Sequence, residues 1–172
     1  MDLAKHRRVP DQSAVGGEAT GPNPTDRGKR GTKRSVLTDG KGMPIALVAA
    51  AANRNDRKLL AETLDAIVVE RPAPTAAAPQ HLCADKGYDY PIGRETAGAH
   101  GSIPHIRSRG EEAQERPEHP GYGPRRWVVE VCHSWLNRFR KVLVRFEKND
   151  ATYLGLLPFA CASIVFKRTG SS

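Results

Sequence analysis

Two carboxylates, Asp85 and Glu130, lie in stretches of sequence that suit chemistry on a bound ligand. Asp85 directly follows a short apolar run at residues 81–84, and Gly87 would let the backbone turn sharply just after it. A strand ending at Asp85 would place this carboxylate at the carboxyl end of a sheet, where open α/β folds bind ligands. The alternative is an ordinary aspartate in a turn.

The second carboxylate, Glu130, lies in a segment whose pattern predicts one long helix over residues 126–144. At about 100° per residue, polar side chains gather on the face of Glu130 and apolar ones on the opposite face. The polar set is Arg126, His133, Ser134, Asn137 and Lys141, and the apolar set is Val128, Cys132, Trp135, Phe139 and Val142. The alternative is a solvated face on which Glu130 pairs with Arg126 and Ser134.

A carboxylate from a strand end and another from a helix can share divalent metal ions. Hard oxygen ligands suit Mg²⁺, which keeps several waters and binds phosphate oxygens. Two such ions about 4 Å apart can hold the attacking and leaving oxygens of a phosphodiester displacement. This chemistry usually needs a third carboxylate as well.

The charge balance points to a polyanionic partner. The 172 residues include 27 Lys and Arg against 19 Asp and Glu, a net charge of +8, and nucleic acid is the first candidate. Basic residues cluster at 27–34, 107–109 and 138–148, where they suit phosphate contacts, although a solvated charge is the better explanation for any one of them taken singly. The three widely spaced cysteines are typical of a reducing cytoplasm. No apolar run is long enough for a transmembrane helix.

The elements that would position the two carboxylates follow an α/β order. In chain order they are a tail and loop over residues 1–32, a β-hairpin over 34–49, a helix over 56–69 capped by Asn53 or Asn55, a strand at 81–84, a helix at 91–99, a strand at 104–107, and helices over 126–144 and 151–167. Turn residues at 39–42 mark the hairpin. The order predicts one α/β domain with a mixed sheet.

Five ordered segments together resemble the catalytic part of bacterial insertion-sequence transposases of the DDE class, in the IS-four/IS-five-like superfamily. They lie at residues 21–33, 53–56, 85–89, 104–110 and 125–130. The likeness extends over residues 16–169, and 170–172 form a tail. The resemblance implies a ribonuclease-H-like mixed sheet with flanking helices. It also implies cleavage at transposon ends and joining of a 3′ hydroxyl to target DNA.

The resemblance also assigns residues to roles. Asp85 matches the second catalytic Asp, and Glu130 matches the catalytic Glu within an Arg-x₃-Glu pattern that begins at Arg126; both would bind Mg²⁺, or Mn²⁺ in its place. The family often has a basic residue seven positions after the Glu, where this chain has Asn137. The residues expected to contact double-stranded DNA are Arg30, Lys33, Arg107, Arg109, Arg126, His133, Asn137, Arg138 and Lys141.

The first catalytic Asp of the family has no clear counterpart. The family carries it in a motif like Trp-Gln-Ser-Ile-Asp-Gly, upstream of the stretch matched by residues 16–18, and the residue at that position here is Arg7. Asp2 and Asp11 are out of register, so Asp11 is only a weak candidate. We therefore expect the sheet to lack its first central strand.

Residues 1–15 would then be the family motif translated in the wrong frame. We expect the downstream half of a split transposase, or a decayed copy, that is marginally stable and inactive alone. Its expected partners are transposon-end and target DNA, a second copy of itself and an upstream-frame polypeptide, in the cytoplasm with the nucleoid. One alternative is a non-catalytic DNA-binding fragment that regulates the full enzyme. Another is a metal-dependent nuclease unrelated to transposition.

The frame hypothesis predicts a specific nucleotide sequence. Read one nucleotide later, the codons of residues 1–15 should encode a motif like Trp-Gln-Ser-Ile-Asp-Gly, continuous with an upstream reading frame. Sequencing the DNA over codons 1–20 and the stretch before them tests this. A plus-one frame that encodes nothing of the kind would make residues 1–15 genuine and would require Asp11 to be tested as a displaced carboxylate.

Overall fold

The protein folds into a mixed β-sheet with helices on both faces. The computed structural model describes residues 2–3, 7–10, 19–24, 29–106, 126–147 and 149–170. The strands are β1 (Asp2–Leu3), β2 (Arg7–Pro10), β3 (Gly21–Pro22), β4 (Arg30–Thr38), β5 (Pro44–Ala51), β6 (Gln80–Ala84) and β7 (Ser102–Ile106). The helices are α1 (Asp56–Asp65), α2 (Pro91–Ala99), α3 (Arg126–Leu136), α4 (Arg140–Leu143) and α5 (Asp150–Thr169). The predicted α/β class is confirmed.

The main body of the sheet has the order β5–β4–β1–β6–β7. The β4–β5 hairpin is antiparallel, β1 is antiparallel to β4, and β6 runs parallel to both β1 and β7. β2 pairs with the first half of β4, with Arg7 opposite Arg34, and β3 pairs with the first two residues of β4. β4 is therefore hydrogen-bonded along both of its edges.

The central position between β4 and β6 is occupied, which differs from the sequence prediction. We expected the first central strand to be absent and residues 1–32 to form a tail and loop. Instead Asp2 lies opposite Thr38 of β4 and Cys83 of β6. The physical reason is that the flanking strands present backbone N–H and C=O groups there, and an extended segment can satisfy them without the apolar pattern of a buried strand.

Two hydrophobic clusters cover the two faces of the sheet. Neighbouring residues of β4 divide between them: Leu37 packs with Leu60 of α1 and Leu82 of β6, whereas Val36 packs with Leu136 of α3. This division follows from the alternation of side chains along a strand. The cluster around Val36 also takes in residues of α5, so α3 and α5 cover one face and α1 and α2 the other.

Arg145 is a fully buried cation that connects three parts of the chain. Its Nη1 donates to Thr20 Oγ1 at 3.3 Å and to Thr32 Oγ1 at 3.2 Å. Its Nη2 forms an ion pair with Asp150 at the start of α5, and the guanidinium lies 5.2 Å from the ring centroid of Tyr153. Burying a charge is tolerated when it is paired and hydrogen-bonded in this way.

The predicted long helix over 126–144 is wrong in its extent. α3 ends at Leu136, and a turn separates it from the short helix α4. In that turn Asn137 Oδ1 accepts a hydrogen bond from Arg34 Nη2 at 3.0 Å, and Phe139 has an extended backbone. A contact with a distant strand therefore stabilises a break that the local helical pattern does not indicate.

The predicted helix over 56–69 is also too long, because α1 ends at Asp65. Asn55, one of the two predicted caps, accepts a hydrogen bond from Arg57 N. Val68, near the end of the predicted helix, is 84% exposed. The hairpin, the strand before Asp85, the helix at 91–99 and the last helix are confirmed with small shifts of their ends.

Replacing Arg145 by Leu should destabilise the fold strongly, because Asp150 and the hydroxyls of Thr20 and Thr32 would lose their common donor. We expect the free energy of unfolding to fall by about 3 kcal/mol, the range for breaking a buried pair. Urea unfolding of the purified chain measures this. The matched control is Arg138→Leu at an exposed site, which should change it by less than about 0.5 kcal/mol. Equal effects of the two changes would contradict the role of Arg145.

Candidate active site

Asp85 lies directly after β6, at the carboxyl end of the strand, as the sequence predicted. It is 9% exposed, and its carbonyl oxygen accepts a hydrogen bond from Tyr88 N at 2.9 Å. That bond closes a 3₁₀ turn over Lys86–Tyr88. Gly87 is not needed for the turn, since a Cβ there would meet nothing within 4 Å and its φ is not positive.

Tyr88 packs behind this turn in the cluster under α1 and α2. Burial raises the pKa of its phenol, and the nearby charges of Asp56 and Asp85 raise that pKa further. The hydroxyl therefore remains neutral at physiological pH. Tyr88 accordingly acts here as a packing residue that fixes the position of the loop after β6.

Glu130 lies on the exposed side of α3. Val128 and Val129 beside it are buried and hold the helix against the sheet, where α3 packs on β1 and β4. The outward face also carries Trp127, which is largely exposed, and Ser134. The Glu130 carboxylate is therefore accessible from solvent while its backbone is fixed.

The alternation of β6 relates Asp85 to the side of the sheet that α3 covers. Leu82 and Ala84 belong to the cluster under α1 and α2, so the alternation assigns Cys83 to the other side, which α3 covers, and continued by one step beyond the strand it assigns Asp85 to that side as well. By its spacing in the sequence Asp2 is out of register with the first catalytic Asp of the family, yet Asp2 is the β1 residue opposite Cys83. Strand pairing is the information that the spacing lacked.

Three of the residues expected to contact DNA are instead engaged inside the fold. Lys33 is buried and its Nζ pairs with Asp56 and donates to Arg54 O at 2.6 Å. His133 is 5% exposed. Asn137 accepts the hydrogen bond from Arg34. Lys33 and His133 are buried and Asn137 is partly buried, because each of the three lies against another element that the local sequence pattern does not reveal.

Three other predicted contact residues do lie on the surface. Arg30 and Arg138 are exposed, and Lys141 is 72% exposed with a loose ion pair to Glu147 at 3.5 Å. Arg126 begins α3, but its side chain lies outside the described atoms. Arg107, Arg109 and Asp11 fall outside the described residues altogether.

The metal requirement can be tested against the carboxylates present. Asp85 and Glu130 provide the hard oxygen donors that Mg²⁺ prefers. Within the described ranges, however, no group of three or more His, Cys, Asp or Glu side chains could hold a metal ion. The described side chains alone therefore do not complete a metal site.

Comparison with known proteins decides the family. Residues 4–164 match the family model described as "Transposase DDE domain". The chain belongs to the DDE transposase family. It is similar to "Putative transposase for insertion sequence element IS402" of Burkholderia cepacia, with 36% identity over 167 residues that cover 94% of this chain and 75% of the relative. The family suggested by the five sequence segments is thereby confirmed.

No solved structure matches this transposase-family chain significantly. Among the helices in the described ranges, none combines the length and apolar character needed to cross a membrane.

Removing the charge partner of Lys33 should destabilise the fold. In Asp56→Asn the buried ammonium would lose its carboxylate, and we expect a loss of about 2 kcal/mol in the free energy of unfolding. Glu62→Gln on the same helix breaks the more exposed Arg54–Glu62 pair and should cost less than about 1 kcal/mol. Urea melts of both variants measure the difference. A loss in Asp56→Asn no larger than that in Glu62→Gln would contradict the dependence of Lys33 on Asp56.

Proposed function

We propose that this chain supplies catalytic residues for the DNA chemistry of transposition, namely phosphodiester cleavage at insertion-sequence ends and strand transfer to target DNA, and that it does not perform this chemistry alone. The observation that carries the proposal is that Asp85 directly follows the carboxyl end of β6, whose side-chain alternation assigns Asp85 to the side of the sheet on which α3 carries Glu130, in a chain of the DDE transposase family. The strand order β5–β4–β1–β6–β7 supports the ribonuclease-H-like sheet that the resemblance implies.

Asp85 and Glu130 are the residues that would hold Mg²⁺, or Mn²⁺ in its place. A bound ion of this kind supplies Lewis-acid activation of a phosphodiester and of the attacking oxygen. The chain's own contribution is rigidity: β6 and its 3₁₀ turn fix Asp85, and buried Val128 and Val129 fix the backbone of Glu130. Asp2 is a third carboxylate to be tested, on the strength of its register alone.

DNA would be held by the exposed cations. Arg30, Arg138 and Lys141 present their charges to solvent, and such residues bind phosphates without reading the base sequence. The net charge of +8 favours the approach of a polyanion. Double-stranded DNA is therefore the proposed substrate, and a second copy of the chain or an upstream-frame polypeptide would supply what one chain lacks.

The isolated chain is proposed to be inactive. The family motif around the first catalytic Asp is not present in residues 1–15, and the described residues complete no three-ligand group. These two observations also favour the second candidate function, a DNA-binding fragment that regulates the full transposase. Both functions share DNA binding and differ in metal-dependent cleavage.

Cleavage of a plasmid that carries the insertion sequence's own ends separates the two functions. We expect Mg²⁺-dependent nicking only when residues 1–15 are replaced by the plus-one-frame translation. Asp85→Asn in that background should abolish nicking because it removes a ligand charge, whereas DNA affinity measured by gel shift should stay within about threefold because phosphate contacts set that affinity. Glu95→Gln, an exposed carboxylate on α2, is the matched control and should retain activity.

Three outcomes would contradict parts of the proposal in different ways. Nicking that survives Asp85→Asn would exclude Asp85 as a ligand. Binding without nicking, in the chain with the replaced segment as well, would favour the regulatory fragment. Nicking by the unmodified chain that Asp2→Asn abolishes would make Asp2 the third carboxylate and the isolated chain active.

A further inference from the structure

We propose that His81 and His105 form a binding site for one transition-metal ion of the Zn²⁺ class, separate from the carboxylates of the proposed catalytic site. His81 Nδ1 lies 2.7 Å from His105 Nε2. Both rings are half-buried. One nitrogen of each imidazole therefore faces the other ring. Two nitrogens placed in this way can bind the same metal ion.

The strand register explains why these two side chains meet. β6 and β7 are parallel neighbours in which Cys83 lies opposite His105, and His81 is two residues before Cys83. His81 and His105 are therefore diagonal neighbours on one face of the sheet. The ring centroids are 4.9 Å apart with the planes tilted by 33°. With the two ring nitrogens 2.7 Å apart, a centroid separation of 4.9 Å is close to the largest that the rings can have. The two nitrogens therefore point toward each other.

A metal ion can take the place of the hydrogen that the two rings share. Zn–N bonds of about 2.0–2.1 Å at a tetrahedral angle place two ligand nitrogens about 3.3 Å apart. The observed separation of 2.7 Å is shorter by about 0.6 Å, so both side chains must rotate apart by that amount to admit the ion. Neutral imidazole is a preferred ligand of Zn²⁺, Cu²⁺ and Ni²⁺, whereas Mg²⁺ prefers oxygen.

The site has two protein ligands. The described part of the chain contains no larger group of metal-binding side chains, so water would fill the remaining positions on the metal. An ion held this way would link β7, the last strand in the sheet order, to β6. Because β6 ends at Asp85, the linked strand is the one that positions the proposed catalytic carboxylate. The ion should stabilise the fold, since it binds the folded chain and the two strands separate on unfolding.

Thermal melting of the tag-free, chelator-treated full chain with added ZnCl₂ or MgCl₂ tests the proposal. The melting temperature should rise with Zn²⁺ concentration and stay constant with Mg²⁺. In His81→Gln and His105→Gln, the Kd for Co²⁺, a spectroscopic substitute for Zn²⁺, should increase about tenfold or more, because each change removes a direct ligand. The controls His100→Gln and Cys83→Ser should keep the wild-type Kd.

Two results would overturn the site. One is an unchanged Kd in both histidine variants, and the other is a loss of binding in a control variant alone. If a histidine variant does not fold, NMR of the wild-type chain with Co²⁺ provides the readout. Paramagnetic broadening of the His81 and His105 ring signals at the lowest Co²⁺ concentration supports the site, and broadening of other histidines first overturns it. Neither readout depends on DNA cleavage, so failure here leaves the transposition proposal untouched.

Discussion

Burial of both faces of β4 is the constraint that shapes the rest of this structure. β4 is paired along both edges and covered on both faces, yet four successive residues in it are polar: Thr32, Lys33, Arg34 and Ser35. A buried polar group without a partner costs free energy comparable to a lost hydrogen bond. Each of these side chains therefore requires a partner, and each partner comes from a different place in the chain.

Those partners fix the positions of the helices. On one face Lys33 pairs with Asp56 and Ser35 hydrogen-bonds Thr63 at 2.6 Å, so α1 is held at both ends. On the other face Arg34 reaches Asn137 at the end of α3, and Thr32 reaches Arg145, which in turn pairs with the start of α5. Hydrophobic clusters fill the space between these contacts, and the polar pairs determine which helix faces which part of the strand.

The arrangement has a direct consequence for the proposed chemistry. α3 can present Glu130 outward only because its opposite side is fixed to β4, and Asp85 reaches the same side through β1 and β6. The connection between the two carboxylates thus passes through β1, whose register rests on two residues. Because this central strand is so short, we expect the pairing of Asp2 and Leu3 with β4 and β6 to contribute to the stability of the sheet.

The sequence by itself determined the features that depend on neighbouring residues. The hairpin around residues 39–42, the helix at 91–99 and the last helix follow from local periodicity and turn residues, and the family follows from five short segments. Asp85 at a strand end was predicted in the same way. These features are decided by residues within one or two turns of each other, where sequence spacing and spatial neighbourhood nearly coincide.

Only the tertiary structure decided which polar residues are buried and which distant segments pair. Lys33, His133 and Asn137 are polar residues of types that suit a DNA-binding surface. In the structure Lys33 and His133 are buried, Lys33 pairs with Asp56 of α1, and Asn137 accepts a hydrogen bond from Arg34 of β4. The break after Leu136, the place of Asp2 beside Cys83 and the meeting of His81 with His105 likewise depend on partners far away in sequence. A polar side chain is stable inside when another element brings its partner, and periodicity within one segment carries no information about that partner.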